Sequence, residues 1–237
     1  MRKIFLTVFL LATFIFGGCG GQANNEPRDE SQTEGISAEA APAPNVNGDL
    51  KISMLNVGQG DAILIQTKKQ TILIDTSDTD ERDLLVNELE KFSVTKIDKL
   101  ILTHPHHDHI GNAKVLINPS KKELAANPYL EKISVAEVYD NGVAVASPAY
   151  KSYMKAIDTK SIARKTLKTG DVLDFGNSVK FKVFSPTPEF VAKVNSEDLK
   201  GIERYNINNG SIVGKLTYKK FSMLFTGDAE KKPRKKS

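Results

Sequence analysis

All four histidines of this 237-residue chain fall within six positions, in the run His104-Pro105-His106-His107-Asp108-His109. Packing alone scatters core histidines, so a run like this constrains the fold: the surrounding elements must bring several imidazoles to one point. Residues 100–103, Leu100-Ile101-Leu102-Thr103, lead into it and read as a short buried strand. In extended chain, side chains two apart point the same way, so His104 and His106 can face one cation. Pro105 stiffens the link between them. A turn after His106 would let Asp108 and His109 approach from another side and hold a second cation, before a helix that starts at Gly111-Asn112. Nitrogen donors with a few carboxylate oxygens suit zinc, with manganese or iron as the alternatives. The competing reading is a histidine-rich surface loop that takes up metal adventitiously, and the apolar strand leading into the run weighs against it.

The rest of the chain reads as clusters of strands with helices between them. Leu50, Ile52 and Met54 alternate with Lys51 and Ser53, and residues 62–65 and 71–74 follow as short apolar runs. Turn residues Gly58-Gln59-Gly60-Asp61 and Lys68-Lys69-Gln70 separate them, which predicts an antiparallel meander. Leu84, Leu85, Leu89 and Phe92 fall at helical spacing, with Asp80 or a neighbour as the cap. Further strands are expected over 133–139, 179–184, 211–218 and 221–225, the last two joined at Lys219-Lys220, and a helix over 148–157. Such an order fits a layered α/β domain. No internal repeat of fixed period is present.

Ahead of the domain, Arg2 and Lys3 precede an apolar run over residues 4–16, then Gly17, Gly18 and Cys19, the pattern of a secretory signal. The run is shorter than the roughly 20 residues a membrane helix needs. The chain's single cysteine stands where a bacterial lipoprotein signal places the lipidated residue, although Phe16 occupies the position where Leu is usual. The expectation is a cleaved signal over 1–18, a lipidated Cys19, a tether over 19–48 too poor in apolar residues to fold, and a domain over 49–230 held outside the cytoplasm at a bacterial membrane. An ordinary signal peptide with an incidental cysteine is the alternative, and a lone cysteine excludes a disulfide framework. The formal charge of +4 misleads: it becomes +2 without Arg2 and Lys3, and −3 once the five basic residues of 231–237 are also set aside. Charge therefore gives no support for a polyanion partner. The local run Lys151, Lys155, Lys160, Arg164, Lys165 and Lys168 reads as a solvated helix face at least as well as a phosphate track.

The pattern His-x-His-x-Asp-His after an apolar strand resembles the signature of the metallo-β-lactamase superfamily. Ile72-Leu73-Ile74-Asp75-Thr76 is similar to that superfamily's strand ending in a buried Asp, and Leu224-Phe225-Thr226-Gly227-Asp228 to its later strand that delivers another. Leu55-Asn56-Val57-Gly58-Gln59-Gly60-Asp61-Ala62 and Asn208-Asn209-Gly210-Ser211-Ile212-Val213 resemble the extracellular metallo-hydrolase domain of ComEC-type competence (DNA-uptake) proteins. The resemblance implies an αββα sandwich and two cations, zinc first. His104 and His106 would hold one and Asp108, also counted as catalytic, with His109 the other; Asp228 would bridge them, and Asp75 would orient a ligand from behind. Asp75 as a plain strand end and Asp228 as a plain turn residue stay open as bland readings. Asn209 stands near where lactamases supply a further histidine, and it would line the pocket or merely make a turn. His107 takes the variable place in the motif, and the loop of Gly58, Gly60 and Asp61 would only shape the surroundings.

The chemistry implied is hydrolysis by a metal-bound hydroxide, with a phosphodiester or nucleic acid as the substrate. A non-catalytic metal-binding surface lipoprotein or inactive remnant, and a lactone or β-lactam hydrolase, are the alternatives. Family members continue beyond the Thr-Gly-Asp strand to a histidine motif that completes the second metal position, whereas here Lys231-Lys232-Pro233-Arg234-Lys235-Lys236-Ser237 follows. The expectation is a fold lacking its C-terminal strands and helices, with 231–237 as a frameshift product, weakened metal binding and little activity. No protein partner is inferable from the sequence.

Overall fold

The computed structural model describes residues 48–196 and 207–230. The expected signal over 1–18, the expected lipidation site Cys19, all but the last residue of the expected tether, and the basic run 231–237 lie outside the described residues. In chain order the elements are β1 (Leu50–Met54), β2 (Ile63–Thr67), β3 (Thr71–Ile74), α1 (Arg82–Lys91), β4 (Lys96–Leu102), α2 (His107–Ile110), α3 (Ala113–Ile117), α4 (Lys121–Ala126), β5 (Ser134–Asp140), α5 (Pro148–Lys160), β6 (Ala163–Thr166), β7 (Val172–Asp174), β8 (Lys180–Ser185), α6 (Pro188–Ser196), β9 (Val213–Tyr218) and β10 (Phe221–Phe225).

The meander expected at the start is present: β1 pairs antiparallel with β2 and β2 with β3. From β3 onward the same sheet turns parallel, in the order β1-β2-β3-β4-β5-β6. A second, antiparallel sheet runs β10-β9-β8-β7. Central parallel strands are buried on both faces, which explains why β3 and the second half of β4 are apolar at successive positions rather than alternating. Strand pleating then sorts the two branched residue types to opposite sides. Leu64, Leu73, Leu100 and Leu102 face α1, α3 and α5, in a core with Leu85, Leu89, Leu116 and Tyr153. Ile65, Ile72, Ile74 and Ile101 face the second sheet, against Phe175, Phe181, Leu216 and Phe225.

Local signals account for most boundaries. Asp78, rather than Asp80, caps the turn before α1 by accepting from the Asp80 N–H at 3.2 Å. Ser120 and Glu123 form a reciprocal capping box that starts α4. Elements β6, β7, α4 and α6 were not foreseen, since each is short and carries little buried apolar surface. The basic run resolves into an exposed face of α5 and an ion-paired edge strand. Lys165 meets Glu137 at 2.7 Å, Lys168 meets Asp171 at 3.3 Å, and Arg164 Nη2 donates to Asp140 Oδ1 at 3.0 Å. Three of its six charges are thus paired within the fold, while Lys151, Lys155 and Lys160 lie exposed on α5.

Candidate metal centre

The histidine run begins where β4 ends, and its shape follows from two backbone choices. His106 is extended (φ −75°, ψ 149°) and its carbonyl accepts from the Ile110 N–H at 3.0 Å, so it ends the strand-like stretch and starts α2. A one-turn helix, α2, therefore forms at His107, which the sequence did not announce, and the helix expected from Gly111-Asn112 follows it as α3 with Asn112 at its N-cap. Gly111 continues the helical path between them; a Cβ there would sit 2.4 Å from the Thr79 nitrogen and 2.5 Å from the His107 oxygen. The consequence is a change of direction between His106 and Asp108. His104 packs edge-on to His106 with ring centroids 4.7 Å apart and tilted on His109 at 4.1 Å. His104 Nε2 lies 2.9 Å from His106 Nδ1.

Asp75, directly after β3, supports this loop from beneath. Its backbone adopts the left-handed region (φ 61°), where short polar side chains are tolerated and where strain marks functional positions. Its carboxylate is 1% exposed. Oδ1 accepts from the Thr103 N–H at 2.7 Å, while Oδ2 accepts from the Thr103 hydroxyl at 2.6 Å and meets His109 Nδ1 at 2.8 Å. One buried carboxylate thereby fixes both the end of β4 and the orientation of a ring in α2.

Asp228 arrives from the other sheet. The turn after β10 is stitched to the histidine strand: the Ile212 N–H donates to the Thr103 carbonyl at 2.9 Å, and the Asp228 N–H donates to Ser211 Oγ at 3.2 Å. Gly227 (φ 48°) makes the approach feasible, since a Cβ there would press on the Thr103 hydroxyl and Ser211. The result is a separation of 3.3 Å between Asp228 Oδ1 and His109 Nε2, with the Asp228 side chain one-third exposed. Donor atoms of His104, His109 and Asp228 all lie within 4.8 Å of one another.

Residues 55–235 match the family described as the Metallo-beta-lactamase superfamily. The chain belongs to this superfamily. The domain has its mixed α/β sandwich, and the family is one of metal-dependent hydrolases. Among curated proteins, ComE operon protein 3 of Bacillus subtilis (strain 168) is 25% identical over 207 residues, which is 79% of this chain and 23% of that protein. The chain thus spans about a quarter of the length of that relative. Among solved structures, BJP-1, a subclass B3 metallo-beta-lactamase of Bradyrhizobium japonicum, is 15% identical with a TM-score of 0.41, covering 75% of this chain and 60% of that one. The metallo-beta-lactamase fold protein YhfI from Bacillus subtilis is 14% identical with a TM-score of 0.43, covering 75% of this chain and 61% of that one.

Within this superfamily domain the electrostatics favour cations. Burial works against the charged form of His109, but the hydrogen bond and charge of Asp75, with Asp228 and Asp108 beyond, prevail and push its pKa up to about 9. Desolvation, then the charges of Asp75, Asp228 and Asp108, raise the Asp61 carboxyl above its ordinary range. Asp108 is buried, and its Oδ1 has no hydrogen-bond partner among the described residues. An ionised carboxylate left in that state is costly unless something positive meets it. Imidazoles and carboxylates converging at coordination range, with one orphaned carboxylate oxygen, form a donor set that fits zinc or iron.

The structure gathers His104, His106, His109, Asp75 and Asp228 and places Asp108 in the same helical turn. His107 points away, its side chain 67% exposed and its Nδ1 2.7 Å from Asp78 Oδ2. Asn209 is half-buried in the turn before Ser211, next to Gly210, whose carbonyl accepts from the Asn141 side chain at 2.8 Å. Sequence reasoning missed Thr103 and Ser211, whose hydroxyls hold Asp75 and Asp228 in place, and did not show how near Asp61 comes to His109. A carboxylate oxygen of Asp61 lies within 4.8 Å of donor atoms of Asp75 and His109. The Gly-x-Gly-Asp spelling of its loop was the available signal.

Proposed function

We propose that this domain is a metal-dependent phosphodiesterase acting on nucleic acid or a related phosphodiester, with zinc as the first candidate cation and manganese or iron as alternatives. In this reading His104 and His106 hold one cation, Asp108 and His109 a second, and Asp228 joins them, while Asp75 keeps His109 Nδ1 occupied so that Nε2 is the donor. The carrying observation is the 3.3 Å approach of Asp228 to His109 across two different sheets. When bound, a pair of cations supplies an activated water and neutralises charge on the phosphate oxygens. The protein's own part is to orient the donors, exclude water from beneath through Asp75 and Thr103, and leave the Asp228 side open to substrate.

A phosphodiester is favoured over a lactam or lactone because both segments that resemble the competence-type domain adjoin the centre. The Asp61 N–H donates to the Asp108 carbonyl at 3.2 Å, and Ser211 holds Asp228. The segment over residues 4–19 supports placing the domain outside the cytoplasm, anchored to a bacterial membrane through a lipidated Cys19. The test is cleavage of bis(p-nitrophenyl) phosphate and of a short DNA oligonucleotide by the purified chain at millimolar zinc or manganese. Slow but metal-dependent cleavage, abolished by chelator and by His104→Ala, is expected. Turnover of a lactam or lactone with no phosphodiester cleavage would overturn the substrate reading, and tight metal binding without any hydrolysis would favour a binding lipoprotein.

A further inference from the structure

The loop between β1 and β2 is held against the histidine turn more closely than a mere surround requires. The Asp61 N–H donates to the Asp108 carbonyl at 3.2 Å, and the Asp61 carbonyl accepts from the Ser77 N–H at 2.8 Å. Gly60 (φ 95°) lies so near that a Cβ would stand 2.0 Å from the Asp108 oxygen. Gly58 (φ 67°) also holds a left-handed backbone angle, with only the movable tip of the Glu81 side chain beside it. Gly60 is therefore needed for the loop to lie flat on the chain that carries Asp108 and His109, and what the loop delivers there is Asp61.

We propose that Asp61 is a further ligand of the metal centre, giving a carboxylate oxygen to the cation held by Asp108 and His109; this rests on the paired-cation reading above. Its carboxylate oxygen and donor atoms of Asp75 and His109 lie within 4.8 Å of one another. Asp61 and Asp75 also line one cleft with Thr103 and Gly227, on the side where Asp228 enters. Asp61, Asp75 and Asp228 thus meet at the His109 imidazole, with Asp108 one residue before it in α2. Independently, Asp108 brings a buried oxygen with no hydrogen-bond partner among the described residues, in the residue whose carbonyl the Asp61 backbone grips. One imidazole, even when protonated, does not balance this many carboxylates, and a bound cation would supply the missing positive charge.

Calorimetric titration of the full chain with zinc, and with cobalt read by its visible absorption, tests this in wild type, Asp61→Asn, Asp61→Ala and the control Asp80→Asn, together with thermal melts in chelator and in saturating zinc. Two cations are expected in wild type and in Asp80→Asn. In both Asp61 variants the weaker cation is expected to lose at least about tenfold in affinity, with a changed cobalt spectrum. The melts should move in opposite senses: unchanged or higher in chelator, because a repelling charge is gone, and lower in zinc. Wild-type titration by Asp61→Asn, or an equal drop of both melts, would overturn the assignment alone. Fewer than two cations in wild type would overturn the paired-cation reading and the assignment with it.

Discussion

Asp75 Oδ2 stands 2.8 Å from His109 Nδ1, and this contact decides which nitrogen of the ring is turned toward Asp228. The same carboxylate accepts from the backbone and hydroxyl of Thr103. Replacing Asp75 with Ala strips a buried acceptor from three donors. Stability measured by urea unfolding should fall by at least ~2 kcal/mol, since each unpaired buried donor costs about 1 to 3 kcal/mol. Zinc affinity should fall about 10- to 100-fold, the usual effect of losing the partner of a ligating histidine. Unchanged zinc affinity would show that His109 needs no such support.

The raised pKa of His109 makes the metal-free domain sensitive to alkali. Folding raises this pKa from about 6.5 to about 9, so the stabilisation is complete below about 6.5 and disappears as pH rises through about 9. Urea unfolding in chelator at pH 6.5 and pH 9.5 should differ by something on the order of 3 kcal/mol from this group. Because a ligating imidazole must be neutral, zinc binding at pH 7 should release a proton, read by calorimetry in buffers of different ionisation enthalpy. Binding heats independent of buffer would contradict the protonated, Asp75-bound imidazole.

Gly60→Ala should disturb the centre although it removes no donor. The new methyl group would meet the Asp108 carbonyl, at a backbone angle that L-residues avoid. The loop must lift, and both the melting temperature and zinc affinity should fall; wild-type behaviour in both would mean that the contact between the two loops is dispensable.

Asp140 gives a purely structural comparison. It is buried, pairs with Arg164 and accepts from the Tyr153 hydroxyl at 3.0 Å. Asp140→Ala leaves the half-buried Arg164 charge without its partner and should cost about 3 to 5 kcal/mol in urea unfolding. A loss below ~1 kcal/mol would show the pair to be interchangeable with solvent.

What the sequence disclosed follows from how much physics each segment carries alone. The first meander, β4 and the β9–β10 hairpin were legible because alternation and turn residues are local signals, and the histidine run was legible because chance does not assemble it. Strands β6 and β7 expose most of their side chains, so no hydrophobic period announced them. The one-turn helix α2 was hidden because His107, Asp108 and His109 are indifferent helix formers, and tertiary contacts from Gly60, Ser77 and Thr79 impose the turn. The placement of Asp61 was hidden for a similar reason: its loop spelled a turn, but only three-dimensional contact shows what that turn is pressed against.

The most direct measurement is an anomalous difference map from crystals of the chain soaked in millimolar zinc. A paired-cation centre predicts two peaks about 3.5 to 4 Å apart, enclosed by His104, His106, Asp108 and His109 with Asp228 between them. No peak at this place, or zinc bound only to the exposed His107, would contradict it.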